Sequence, residues 1–210
     1  VISIQNLPED RLARFQQNQT GNSCAICSAC SALNILNDAR ITASVWIKYV
    51  DSLAIPTILP LRMYPNGPTS PAQQVNLLRR IADREGLRGL EITRHSSSVE
   101  EIQSILTSPN QVVLVTIGWL FSAGPKIMPG KTTTNLNSST SRFGYHTMLL
   151  AAYSPEHIHE DGVIRPWGFI NSWIDGGSNI FWISDLEFRR SWSILTPLGG
   201  IRSAVILTRV

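Results

Sequence analysis

The segment Cys24–Asn37 (CAICSACSALNILN) carries no charged residue and is small and apolar on almost every side. A surface helix shows one apolar stripe, whereas apolar character all round belongs to a helix surrounded by protein. The rest of the chain must therefore wrap around this segment, and that requires a sizeable core. The composition allows one. Of all residues 43% are hydrophobic and only 16% are charged, which excludes a disordered tail or a coiled coil. Asn22 or Ser23 is placed to cap the start of the helix.

Other helices are expected on the same side of the chain. Residues 43–54 set Val45, Ile47, Val50 and Leu53 roughly on one face, and 72–85 is amphipathic through Val75, Leu78 and Ile81. Between them, 55–71 is broken by prolines and Gly67 and reads as a loop. Ser98 and Glu101 form the signature of a capping box for a short helix ending near Ser108. The pattern then changes. Residues 111–119 (QVVLVTIGW) are β-branched and apolar, as in a buried strand, and further strands are expected at about 145–153, 164–172, 179–184 and 201–209. A helical turn is expected at 185–191, and 123–142 is a long polar loop. Helices first and strands second predict an α+β fold. The chain reads as one domain, 1–210, with a helical half at 1–109 and a β half at 110–210.

Several function classes have little support. The formal net charge is +3 and the 18 basic residues are scattered, so no nucleic-acid partner is expected. The longest apolar runs, such as 112–117, fall far short of a membrane span, so no membrane partner is expected either. The three cysteines all lie between positions 24 and 30 and cannot staple distant parts of a fold. A soluble protein without a disulfide framework is expected, and the sequence is compatible with the bacterial cytoplasm or with bacterial export. No cofactor and no metal are expected. The cysteine run lacks a fourth thiol, and His157-Ile-His159-Glu160-Asp161 reads as a solvated polar turn between two strands.

The residues that carry chemistry are few and far apart. Cys24 opens the apolar helix, where the helix dipole favours a thiolate. His146 stands at the mouth of an apolar strand, where an imidazole can reach a cleft and move a proton. Asn171 can hold the far ring nitrogen and fix the tautomer, and Trp173 two residues on can shield that bond from water. Gln19 can donate its side-chain amide to an oxyanion, with the backbone N–H of Cys24 as a second donor. A Cys-His-Asn set of this kind meets only in the folded chain.

Three ordered motifs give these residues a family likeness. Gln19-Thr-Gly-Asn-Ser-Cys24 precedes Ser28-Ala29 and Ser31-Ala32, Gly144-Tyr-His146-Thr-Met-Leu-Leu follows, and Trp167-Gly-Phe-Ile-Asn171-Ser-Trp173 comes last. In this order the chain resembles the papain-like cysteine peptidase superfamily, in its bacterial or viral rather than its secreted plant and animal forms. The family usually sets its Gln six residues before the Cys, and here Gln19 is five before Cys24. A second register, matching Cys24-Ala-Ile-Cys27, makes Cys27 the nucleophile. The resemblance implies a helical half, a barrel-like antiparallel sheet half, and a cleft between them that takes a protein or peptide substrate. It implies Cys24, His146, Asn171 and Gln19 as the catalytic set, and Gly67 and Tyr145 as substrate contacts. The loops 64–70 and 123–142 are expected to border the cleft. A deamidase or acyl transferase uses the same apparatus, and a catalytically silent peptide-binding module keeps the same fold.

Overall fold

A computed structural model describes residues 1–53, 61, 67–120, 124–125, 127–129, 143–159, 161–172, 180–194 and 201–210. The chain begins with a short strand β1 (Ile2–Ser3), a turn of 3₁₀ helix at Ile4–Asn6 and helix α1 (Glu9–Ala13). The apolar segment forms helix α2 (Cys24–Asn37), and every residue from Ala25 to Leu36 is buried. Each large apolar side chain on it, such as Ile26, Leu33 or Leu36, contributes about 1.5–3 kcal/mol by leaving water. Asp38, at a left-handed φ of 50°, ends the helix.

Helices α3 (Ala43–Ser52) and α4 (Pro71–Arg84) follow. Ser70 caps α4 by accepting from the Gln73 N–H while Gln73 reaches back to the Ser70 N–H, and Pro71 occupies the first turn, where no N–H is needed. Strand β2 (Leu90–Ser96) leads to α5 (Val99–Leu106), capped reciprocally by Ser98 and Glu101 as its sequence implied. The strands β3 (Gln111–Leu120), β4 (Met128–Pro129), β5 (Phe143–Tyr153), β6 (Trp167–Ile170) and β7 (Ile180–Ile183), helix α6 (Asp185–Trp192) and strand β8 (Ser203–Arg209) complete the order.

One antiparallel sheet joins the strands in the order β2-β8-β3-β5-β6-β7-β4, with β1 beside β5. Helix α2 packs on β5 and β3 and against α3 and α4, so it is the central helix that its composition demanded.

Two features depart from the sequence-based expectation. The sheet does not close among the described residues. Its path ends at β2 and at β4, so the barrel-like half is an open sheet. The division into a helical and a β half is also incomplete, because β1 and β2 lie before residue 109. The sequence reading held no strand at 90–96. Only Ile92 is buried there and Glu91, Thr93, Arg94 and His95 are exposed, as befits an edge strand paired on one side by β8.

Candidate active site

Strand β5 places His146. Its register pairs His146 with Ile117 of β3, and the run Met148–Ala152 that follows is fully inside the core. Gly144, two residues earlier, lies under the indole of Trp119. A Cβ there would come within 2.2 Å of that ring, so only glycine lets Trp119 lie flat against the strand ahead of His146. Gly168 plays the same part on β6, where a Cβ would fall 2.9 Å from Ile180 and 3.0 Å from Trp182. The glycines of the His and Asn motifs are thus packing requirements. Trp167 anchors the start of β6 by donating its indole N–H to Asp185 at 2.9 Å.

The structure pairs His146 with Asn171. His146 Nε2 lies 2.5 Å from Asn171 Oδ1, and both residues are buried, at 3% and 0% exposure. An amide oxygen only accepts, so Nε2 carries the proton and Nδ1 is the nitrogen with a lone pair. Burial lowers the imidazole pKa to about 4, while the Asn171 bond works in the opposite direction. Burial by itself therefore favours the uncharged ring.

Two sets of hydrogen bonds bring the cysteine segment to these strands. Ser28, one turn beyond Cys24 on α2, donates to the carbonyl of Thr147, the residue after His146, at 3.0 Å. Gln19 donates its backbone N–H to the carbonyl of Ser172, the residue after Asn171, at 2.9 Å, and Ser172 Oγ donates to Gln19 Oε1 at 2.6 Å. The flanks of Cys24 are thereby fastened to the flanks of His146 and of Asn171. Ser172 is the member that sequence reasoning missed. It stands inside the Asn-Ser-Trp motif, where the sequence gives it no role of its own. By donating to Oε1, it turns the amide NH₂ of Gln19 away from itself, and that NH₂ donates to Gly21 at 2.8 Å.

None of the three cysteines is in a disulfide, and they differ in setting. Cys24 is the first residue of α2 and is half-buried. The first turn holds no acidic side chain, and Ser23 does not cap the helix with its hydroxyl, which donates to Thr20 instead at 2.7 Å. Cys27 and Cys30 are in the core at 1% and 0% exposure. Burial, with Cys27 and Glu85 adding to it, pushes the Cys30 thiol far up, so it stays protonated and inert.

Among the other expected contacts, Gly67 is buried and Tyr145 is half-buried, with its phenol raised by burial. Trp173, residues 64–66 and most of 123–142 lie outside the described residues. In the 157–161 segment Ile158 and Asp161 are exposed as a solvated turn implies, but the two histidines are not simply solvated. His157 stacks on Trp182 with ring centroids 3.9 Å apart, and His159 is 1% exposed. No group of three or more His, Cys, Asp or Glu side chains is placed to hold a metal ion among the described residues. No helix among them is long and apolar enough to cross a membrane.

No protein-family model matches the chain, and no curated protein matches it in sequence. Solved structures do. One is the crystal structure described as a "putative C39-like peptidase" from Bacillus anthracis, which superposes with a TM-score of 0.57 over 100% of this chain and 98% of that one, at 11% identity. The chain is similar to that protein in fold along its whole length.

Proposed function

We propose that the chain is a cysteine peptidase that hydrolyses peptide bonds through Cys24, His146 and Asn171. The observation that carries the reading is the buried His146–Asn171 hydrogen bond, fastened beside a helix that begins with a half-exposed cysteine. The fold it shares with a protein described as a peptidase agrees with it.

In this reading Cys24 Sγ gives its proton to Nδ1 of His146 and attacks the scissile carbonyl carbon. The imidazolium that forms is unfavourable in a buried site by itself, so it depends on the adjacent thiolate and on the Asn171 oxygen. The carbonyl oxygen takes up negative charge. The Cys24 backbone N–H and the Gln19 amide, aimed by Ser172, are the donors for it, and such donors lower a barrier by about 3 kcal/mol each. The intermediate collapses as His146 protonates the leaving amine, and Cys24 is left as a thioester. Water, deprotonated by His146, then attacks the thioester and restores the thiol. No cofactor enters these steps. Substrate lies between α2 and the sheet, with Gly67 and Tyr145 at its borders.

Cys24 is preferred to Cys27 because a nucleophile must be reached by substrate, and Cys27 is sealed in the core. The test is cleavage of a mixed peptide library, read by mass spectrometry as new termini. The wild type and Cys27→Ala should cleave it and Cys24→Ala should not. Cleavage lost only in Cys27→Ala would move the nucleophile. Conversion of Gln or Asn side chains without scission would make the protein a deamidase, and binding without any product would make it a silent peptide-binding module.

A further inference from the structure

Helix α4 buries Val75, Leu77, Leu78 and Ile81, and among them it buries a glutamine, Gln74, which is 0% exposed. Burying an amide is unfavourable unless it is fully hydrogen-bonded. Gln74 Nε2 donates to Thr147 Oγ1 at 3.0 Å and to Thr116 Oγ1 at 3.2 Å, and it lies 3.4 Å from the Thr69 carbonyl. The two threonine hydroxyls are themselves 3.0 Å apart. The amide oxygen, Oε1, meets no donor among the described residues, and neither does Thr69 Oγ1. A leucine would fill this place on the apolar face without that cost.

The polar cluster sits where the candidate site is assembled. Thr147 follows His146 and is its node. Its hydroxyl takes a bond from α4 through Gln74, its carbonyl takes one from α2 through Ser28, and Thr116 braces it from β3. His146 and Thr147 point to opposite faces of β5, so a shift of Thr147 is passed to His146 through one peptide unit. The same glutamine reaches Thr69, in the segment that leads from Gly67 into α4.

We propose that Gln74 is a positioning residue that fixes β5 at His146 relative to the cysteine helix and the 67–70 segment. The inference rests on the peptidase reading above. Gln74 touches neither substrate nor a reacting atom. It acts by holding the imidazole within reach of the thiol, and misplacement of a reacting group by about 1 Å costs on the order of a hundredfold in rate.

The test uses the full chain and needs no known substrate. The second-order rate constant of alkylation by iodoacetamide is measured from pH 4 to pH 10 and assigned to Cys24 by peptide mapping, alongside the thermal midpoint of each variant. In the wild type Cys24 should react well below the ordinary thiol range, about pH 8.5. In Gln74→Met the Cys24 rate at pH 6 should fall about tenfold and its midpoint should move toward the ordinary value. Thr147→Val removes the same bond from the other side and should give the same shift, which secures the result if Gln74→Met folds poorly. Unchanged Cys24 profiles in the folded variants, with only a lower thermal midpoint, would overturn the positioning role while leaving the peptidase reading intact. An ordinary thiol profile in the wild type itself would remove that reading, and this inference with it.

Discussion

Two histidines are buried to nearly the same degree in this chain and are set up in opposite ways. His146, at 3% exposure, has a neutral partner, the Asn171 amide, at 2.5 Å. His159, at 1%, sits in the β5–β6 connection with Asp161 Oδ1 3.5 Å from its Nδ1, yet neither ring nitrogen makes a hydrogen bond among the described residues. The carboxylate near His159 is already engaged. Arg165, 3% exposed, grips Asp161 at 2.6 and 2.8 Å, and this holds the Asp161 carboxyl well below the usual range. A neutral amide fixes the direction of a ring without fixing its charge, so His146 is free to gain and lose a proton. An arginine–carboxylate pair fixes charge and shape together, so the region of His159 is a structural clasp. Strand β5 separates the two by the seven residue steps from His146 to Tyr153, roughly 23 Å of strand.

Substitution of each histidine should break the symmetry most strongly. His146→Ala should reduce peptide cleavage by about 10⁴-fold or more, as expected when one member of an interdependent catalytic set is removed. His159→Gln should leave cleavage within about threefold and lower stability by about 1–2 kcal/mol. Comparable losses of activity in both would show that the distinction drawn here is false.

The next effect is on stability against pH. Without the Cys24 thiolate, the folded pKa of His146 is about 4, below the unfolded value near 6.5, so in Cys24→Ala the unfolded chain binds the extra proton first as pH falls. Above pH 6.5 this group leaves stability independent of pH. Between 6.5 and 4 stability should fall with pH by up to ~3 kcal/mol, and below 4 the loss levels off. Urea unfolding of Cys24→Ala and of Cys24→Ala/His146→Gln across this range isolates the effect, and identical slopes would mean that the ring is not desolvated as described.

Gly144→Ala should follow, because Trp119 must leave its place against β5. A stability loss of about 2 kcal/mol is expected, with a fall in cleavage because the displaced strand carries His146. The smallest effect concerns Gln19. Ser172→Ala releases the Gln19 amide and should lower kcat about tenfold with little change in KM, a part of what a lost oxyanion donor costs. A change in KM alone would make Gln19 a contact to the bound substrate rather than to the oxyanion.

The parts of this molecule that were legible in the sequence are those set by local pattern. Helix α2 spans Cys24–Asn37 as its composition demanded, α5 begins at the Ser98–Glu101 pair that announces it, and α4 follows its amphipathic run, although its Ser70 cap lay in the stretch taken for a loop. Strand β3 runs from Gln111 as its β-branched run implied. Strand β2 was hidden because an edge strand with one buried residue carries almost no hydrophobic signal. The open sheet was also hidden, because closure depends on which edges meet and not on any one segment. At the site, Cys24, His146, Asn171 and Gln19 were visible as motif residues. The Ser172–Gln19 and Gln74–Thr147 bonds were not, since each joins residues whose types are common and whose partners lie far away in sequence. The burial of His159 was misread for the same reason. Its surroundings of Asp161 and Gly162 look like a solvated turn until Arg165 folds over them.

The central claim is that Cys24 and His146 act as a pair, and proton titration of His146 tests it most directly. The imidazole of His146 is followed by NMR from pH 3 to pH 9 in the wild type, in Cys24→Ala and in Cys27→Ala. Without the partner thiolate the ring should titrate near 4, where burial places it. In the wild type and in Cys27→Ala a charged ring should persist to distinctly higher pH, because the Cys24 thiolate offsets its burial. The same titration curve in the wild type and in Cys24→Ala would contradict the account.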